Sequence, residues 1–574
     1  MRLILQVFYC IFSSCLLSLA IPNEWLTFGS PFIAFVALCP YYLAMKKCRS
    51  FQESFLLGFI QTFTVHMLSS FWLAFFKDYA VFTLGASALG TGCIGGAFGL
   101  LLYIPYSQKK QQNDLNLSSP VSSVIIQSRV VYFAAVYTFY EWVKSSGFLG
   151  YPWGTISSCM FNSHHLMQLA SITGTYGITF LTVFFTALVS EGFYLIPVIY
   201  HSPVKKRILA SYKQISKVWI ILFAFTMIYG FVQYNKKRTP YKTLTCILVQ
   251  QNQDPWKVPT DDDSILDSQK LTKERLDELS EQGKKADLVV WSEGILQRAF
   301  PPAEYHYSNY PSEKPLKDFI KETGVPFLIG GSYVKRHKDE VDYYNAAHVF
   351  DKYGNYRGFY GKNHLVPFAE VIPFTENKFV KAFLEKVVHI SAGWTPGNQY
   401  TFFEIPCKYY DEADPVPTKT INLNESYETQ TERENLPPVT KISTPICFDD
   451  SFTDVCRPLY LNGSEVFMNI TDDSWSMKKS SEFQHFVIAS YRAIEYRTTL
   501  VRSTNAGVTS VIDPAGNVLA SLPLFEKASL SYDVPVYKRK MTFYARFGNW
   551  LPFTIGIFIV IYIIFSIFTF SPTD

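Results

Sequence analysis

The chain has 574 residues and a net charge of +4, with 48% hydrophobic and only 17% charged residues. Soluble domains carry roughly 25% charged residues, so a wholly aqueous protein is excluded. A charge this small, with no basic stripe interleaved with aromatics, also argues against a nucleic-acid partner.

The charge deficit is uneven. From Met1 to about Tyr234 long apolar runs alternate with short polar links, whereas 240–535 is ordinary globular sequence. A membrane-crossing helix needs about 20 mostly apolar residues. Runs at 3–20, 26–45, 54–76, 80–105, 130–144, 166–198 and 217–234 meet or approach this, and 550–570 closes the chain, giving about eight spans. The run 130–144 is short and contains Glu141, and 166–198 is long enough to tilt or to include an interfacial piece. Segment 3–20, with Arg2 before it and Ala20 at its end, also fits a cleavable signal peptide. The loop charges favour keeping it.

Cytoplasmic links are enriched in Lys and Arg. The second, fourth and sixth links carry Lys46, Lys47 and Arg49, then Lys109, Lys110 and Arg129, then Lys205, Lys206, Arg207, Lys213 and Lys217. The first link has none, the third only Lys77, and the fifth only Lys144 at its edge. Lys236, Lys237 and Arg238 oppose the pattern but are outweighed. The expected organisation is a seven-span domain at 1–238, an extracytoplasmic globular domain at 239–540, and a last helix with a short cytoplasmic tail at 541–574. Six cysteines fall in the membrane half, while Cys246, Cys407, Cys447 and Cys456 lie in the globular region. An oxidising compartment permits disulfides there, and four cysteines allow three connectivities. A structural bridge is therefore the plain reading of Cys447, and a Cys407–Cys456 pair is an open alternative.

In the globular region strands and helices alternate. Strands are predicted at 243–252, 286–294, 325–334, 343–351, 441–449 and 464–472, with an amphipathic helix at 263–285 and a second at 483–497. The stretch 499–518 reads as strand, turn, strand, and the polar, Pro-bearing 409–440 as an inserted segment, either an extended surface loop or partly disordered. Three predicted strand ends carry reactive residues. Glu293 follows the apolar Leu288–Trp291, where burial would raise its pKa toward that of a general base; a solvated loop glutamate is the bland alternative. Lys362 opens "GKNHLVPFAEVIPF", where a cation needs a partner. Cys447 lies in "STPICFDDSF"; a thiolate is stabilised by a neighbouring ammonium, and a carboxylate can take its proton.

Glu, Lys and Cys in this order, each at a strand end of an α/β domain, resemble the carbon–nitrogen hydrolase (nitrilase) superfamily. With "LVVWSEG", "YGKNHLVPFAEVIP", "PICFDD", "NITDDSW", "VRSTNAGVTSVIDPAGNV", "VQQNQDPWK" and "GFLGYPWG" in a chain of this hydropathy, the whole resembles the apolipoprotein N-acyltransferase family. The resemblance implies a multi-pass α-helical membrane domain plus a nitrilase-like αββα sandwich. It implies Glu293 as base, Lys362 as oxyanion stabiliser with the Phe448 backbone N–H, Cys447 as nucleophile and Glu370 as a supporting acid. Asp449 stands where the family has Glu, with Asp450 as a possible substitute, and Phe448 stands where it has Tyr. Trp256, Trp153 and Trp475 fall at positions expected to meet substrate, although Trp256 and Trp153 also suit interfacial anchoring. The expected reaction needs no cofactor or metal. It takes an acyl chain from a phospholipid and gives it to the α-amino group of a diacylglyceryl-modified lipoprotein cysteine. The setting is a bacterial inner membrane, with the protein a monomer and its catalytic domain on the periplasmic side. A membrane-tethered amidase and a noncatalytic lipoprotein-binding or transport protein are the alternatives.

Overall fold

The computed structural model describes residues 1–76, 80–106, 121–201, 205–257, 260–338, 340–371, 393–409 and 438–570. The body of the 409–440 insert, the tail 571–574 and the loop lysines Lys77, Lys109 and Lys110 lie outside them. The chain forms two compact units, one of residues 1–236, 478–491 and 546–574, the other of 237–477 and 492–545.

The first unit is helical. Among the described residues four helices are long and apolar enough to cross a membrane: Arg2–Ala20, Thr83–Tyr103, Tyr176–Ile196 and Ile208–Tyr234. The other expected spans take different forms. The 26–45 run divides at Leu38 into Pro31–Ala37 and Cys39–Lys46, with Pro40 starting a new first turn where its missing N–H costs nothing. The 54–76 run is the helix Phe51–Ser69 followed by a 3₁₀ segment, Phe71–Phe75. The 130–144 run is the end of Val121–Lys144, and 550–570 is the helix Trp550–Phe570. Before the long helix Tyr176–His201 lie two single-turn helices, His164–Met167 and Ala170–Thr173. Glu141 is buried but satisfied, its carboxylate accepting from the Ile156 N–H and the Thr179 hydroxyl, each at 2.7 Å.

The second unit contains two sheets. One has strand order β13-β1-β2-β3-β4-β5, from β1 (Lys242–Gln250), β2 (Leu288–Phe300), β3 (Phe327–Arg336), β4 (Val341–Phe350), β5 (Tyr356–Gly361) and β13 (Ala528–Val536). A short strand, β7 (Lys408–Tyr409), pairs with β1. The other sheet runs β12-β11-β10-β9-β8-β6, from β6 (Phe403–Pro406), β8 (Val439–Ser443), β9 (Val466–Thr471), β10 (Thr499–Thr504), β11 (Ser510–Ile512) and β12 (Val518–Ser521). The sheets meet face to face, and the Ser503 hydroxyl of β10 lies 3.4 and 3.2 Å from the carbonyls of Val249 and Val290. Burial on both faces explains why β1 reads as a continuous apolar run. The helix Asp261–Glu281 covers one outer face, where Ile265, Leu271 and Leu279 pack on Val249, Val289 and Trp291, and the Trp291 indole donates to the Thr272 hydroxyl at 3.0 Å. Its N-terminus is a capping box between Thr260 and Asp263. On the other sheet Tyr496 packs on Phe467 and Tyr460. These layers form the expected nitrilase-like sandwich.

β1, β2 and β3 are mutually parallel, and β5 returns to their direction through the antiparallel β4. β8, β9 and β10 are parallel as well. Lys362 follows the carboxyl end of β5, Cys447 lies past that of β8 and Asp472 follows that of β9, whereas Glu293 lies within β2.

Candidate active site

Glu293 does not follow a strand that ends at Trp291. β2 continues to Phe300, and its pairing with β3 shifts register between Trp291 and Leu296, with Gly294 at φ +79°. This irregularity, a β-bulge in effect, re-aims the side chain. Gly330 of β3 makes the close approach possible: a Cβ there would lie 2.4 Å from the Ser292 carbonyl oxygen and 2.5 Å from Glu293 Cα.

Four side chains meet at Glu293. Asn345 of β4 donates from Nδ2 to Glu293 Oε1 at 2.7 Å and to Glu370 Oε1 at 3.0 Å, joining the two carboxylates. Lys362, just past β5, puts Nζ 2.8 Å from Glu370 Oε1 and 3.6 Å from Glu293 Oε1. The Asp472 N–H, just past β9, donates to Glu293 Oε2 at 2.8 Å, and the Val366 N–H to Glu370 Oε2 at 2.7 Å. Glu370 thus holds the lysine from a loop that turns back on itself through the Glu370 N–H to Val366 carbonyl bond at 2.9 Å.

Cys447 opens a short 3₁₀ turn, Cys447–Ser451, after an isolated bridge between Ile446 and Ile470. The sequence reading carried β8 through to 449, but the strand stops at Ser443 because Pro445 has no N–H to give a ladder. Cys447 has φ +47°, in the left-handed region that an L-residue occupies at a cost, and its side chain is partly exposed. All ten cysteines are unbridged, including Cys407 and Cys456. The disulfide reading of Cys447 is therefore set aside.

Burial, followed by the charge of Glu293, holds the Cys447 thiol well above its ordinary value, with Lys362 opposing. Burial also raises Glu293, while Lys362 and the donors Asn345 and Asp472 N–H pull it back. Burial would lower Lys362, but the negative charge Cys447 carries once ionised, with those of Glu370 and Glu293, outweighs it and raises the ammonium's proton affinity. The site therefore holds a protonated thiol, a buried carboxylate of raised proton affinity and a fixed cation. That set can move one proton and stabilise one new anion.

The two aspartates after Cys447 have separate structural positions. Asp449 is buried and accepts from the Tyr360 hydroxyl at 2.9 Å, the His364 N–H at 2.7 Å, the Asn363 N–H at 3.2 Å and the Ile446 N–H at 3.1 Å. It ties the nucleophile turn to the segment that carries Lys362. Asp450 turns away to the buried Arg502 of β10, which also reaches Asp473 at 3.1 Å. Burial pushes Asp449 up to about 7, against about 3.9 for an unfolded aspartate. Its folded value lies above its unfolded one, so its stabilising contribution is full below about pH 4 and is lost as pH rises through about 7. Thermal unfolding of Asp449→Asn should accordingly lose less stability than wild type between these limits; parallel curves would contradict this.

Trp256 and Trp475 belong to the same unit as the thiol and meet edge to face, with centroids 5.3 Å apart and the Trp256 indole donating to the Trp475 carbonyl at 3.0 Å. Trp475 is exposed. Trp153 belongs to the helical unit, buried against Trp72, Tyr151 and His485, with its carbonyl accepting from Lys144 at 2.7 Å. Phe448 packs on Phe452, which stacks on His364. Asn345, Asp473 and Arg502 were not singled out from sequence. The available signal was a polar or charged residue inside an otherwise buried strand, Asn345 in "YYNAAHVF" and Arg502 in "TLVRST".

The carbon-nitrogen hydrolase family model matches residues 248–538, and the apolipoprotein N-acyltransferase N-terminal domain model matches residues 13–188. An apolipoprotein N-acyltransferase 2 of Treponema denticola is 38% identical over 569 residues, covering 99% of this chain and 98% of that one. An apolipoprotein N-acyltransferase 2 of Treponema pallidum is 32% identical, covering 94% and 91%. An apolipoprotein N-acyltransferase of Borreliella burgdorferi is 29% identical over the same shares. The chain belongs to the apolipoprotein N-acyltransferase family, whose globular half is a carbon–nitrogen hydrolase domain.

Proposed function

We propose that this enzyme moves an acyl chain from a membrane phospholipid to the free α-amino group of a diacylglyceryl-modified cysteine at a lipoprotein N-terminus, through a thioester on Cys447. The observation that carries the reading is the ion-paired cluster of Glu293, Lys362 and Glu370, whose charges act on the Cys447 thiol, in a chain related to acyltransferases over nearly its full length.

Glu293 takes the thiol proton and the thiolate attacks the ester carbonyl. The Lys362 ammonium and the Phe448 N–H hold the tetrahedral oxyanion. Collapse breaks the C–O ester bond, and Glu293 returns the proton to the departing lysophospholipid oxygen. The amine then attacks the thioester, Glu293 accepts its proton, and the amide forms as the Cys447 sulfur leaves and is reprotonated. Both substrates are lipid-anchored, so embedding the domain raises their effective concentration at the thiol. The Trp256–Trp475 pair supports a role at the lip of the site, and Trp153 is proposed as a further contact to substrate. Four helices long and apolar enough to span support a multi-pass membrane domain; the proposed arrangement is about eight crossings of a bacterial inner membrane, with the catalytic unit on the periplasmic side and the protein acting as a monomer.

Purified full-length protein, incubated with phosphatidylethanolamine–phosphatidylglycerol micelles without an acceptor, should gain the mass of one acyl chain. Hydroxylamine should remove it, and Cys447→Ala should never acquire it. Release of free fatty acid with no adduct would favour an amidase-like hydrolase, and no reaction at all a binding protein.

A further inference from the structure

Behind the nucleophile lies a charged network that the reaction as written does not use. Arg502, fully buried on β10, holds Asp450 through Nη1 and Asp473 through Nη2 at 3.1 Å. The remaining oxygens of the two acids meet local hydroxyls, Ser451 at 3.4 Å from Asp450 Oδ1 and Thr471 at 3.2 Å from Asp473 Oδ1. Asp450 is three residues past Cys447, and Asp473 is two past the end of β9. One guanidinium therefore joins the turn carrying the nucleophile to the segment whose Asp472 N–H holds the general base. A guanidinium is suited to this, because its fork can serve two carboxylates at once and it does not lose its charge when buried.

The groups facing the thiol come from several elements. Glu293 comes from β2, Lys362 and Glu370 from the segment after β5, and Asp473 from the segment after β9. Asp472 lies beside Glu293, and Asp449 and Asp450 share the thiol's own turn. Carboxylates thus outnumber the ammonium around a sulfur that must become an anion.

We propose that Arg502 is a positioning residue for Cys447: by clamping Asp450 to Asp473 it fixes the nucleophile turn and neutralises the carboxylate charge behind the sulfur, leaving Lys362 to govern the thiolate. The proposal rests on Cys447 being the acyl-accepting thiol, but its test does not require acyl transfer.

The test is the pH dependence of iodoacetamide alkylation at the Cys447 peptide, read by mass spectrometry on the full-length detergent-solubilised protein from about pH 7 to about pH 12, a window reaching above the ordinary thiol value. Asp473→Asn removes a negative charge facing the thiol and should move the midpoint down by about one pH unit, a roughly tenfold gain in thiolate below it. Arg502→Met unmasks both carboxylates and should move the midpoint up by at least as much, whereas Arg502→Lys, which keeps the charge, should stay near wild type. Equal shifts in Arg502→Met and Arg502→Lys would overturn the proposal, since packing would then explain them. If Arg502→Met does not fold, Arg502→Gln is read in its place, and an unmoved midpoint there overturns the clamp. Shifted midpoints in a protein that never acquires an acyl adduct would uphold the clamp and refute the acyl-transfer reading.

Discussion

Glu293→Gln will keep a reactive cysteine but form the Cys447 thioester roughly 10²–10⁴-fold more slowly, the usual contribution of a positioned general base. The loss has two parts. The amide cannot take the thiol proton, and it cannot satisfy its surroundings. Glu293 Oε1 accepts from Asn345 and Oε2 from the Asp472 N–H, so a glutamine must point its NH₂ group at one of these donors. The thiol's proton affinity is raised first by burial, so without the base few molecules ionise near neutrality. Rapid-quench intact-mass measurements of the acylation burst give the rate directly. An unchanged burst would remove Glu293 from the mechanism.

Lys362→Met will be damaging in two separable ways. Its ammonium is buried between Glu370 at 2.8 Å and Glu293 at 3.6 Å, and deleting it leaves two carboxylates facing each other through Asn345. Removing one partner of a buried ion pair destabilises by about 3–5 kcal/mol. Loss of an oxyanion donor costs a further factor of about 10²–10³ in acylation rate. Adding Glu370→Gln to Lys362→Met should return much of the stability and none of the rate, because the second change relieves repulsion without supplying a cation. Unfolding curves beside burst rates separate the two. Recovery of both would make Lys362 a structural residue only.

Glu293, Lys362 and Cys447 stand out in the sequence because each interrupts a pattern. Glu293 follows a buried apolar strand, Lys362 precedes an apolar run, and Cys447 lies between an apolar strand and two acids. What the pattern could not convey was how far each strand runs. β2 reads as ending at Trp291 because Ser292, Glu293 and Gly294 are polar or small, yet β3 supplies Gly330 opposite them and pairing resumes at Leu296. β13 was missed because its burial alternates weakly and its partner, β1, lies far away in sequence. The roles of Asp449 and Asp450 were illegible for a related reason: adjacent acids look alike until Tyr360, His364 and Arg502 arrive from other elements. In the helical half, hydropathy marked apolar runs correctly but could not show that Pro40 begins a new helix or that a run such as 54–76 changes helix type.

The four donors on Asp449 have a mechanical consequence. This carboxylate joins the nucleophile turn directly to the backbone of Asn363 and His364, so the spacing of cation and sulfur is set by one short bridge. The chain that separates Lys362 from Cys447 in sequence need not act as a ruler between them. Beyond Glu370, the number of residues before the Cys447 turn is therefore not what holds the two segments together.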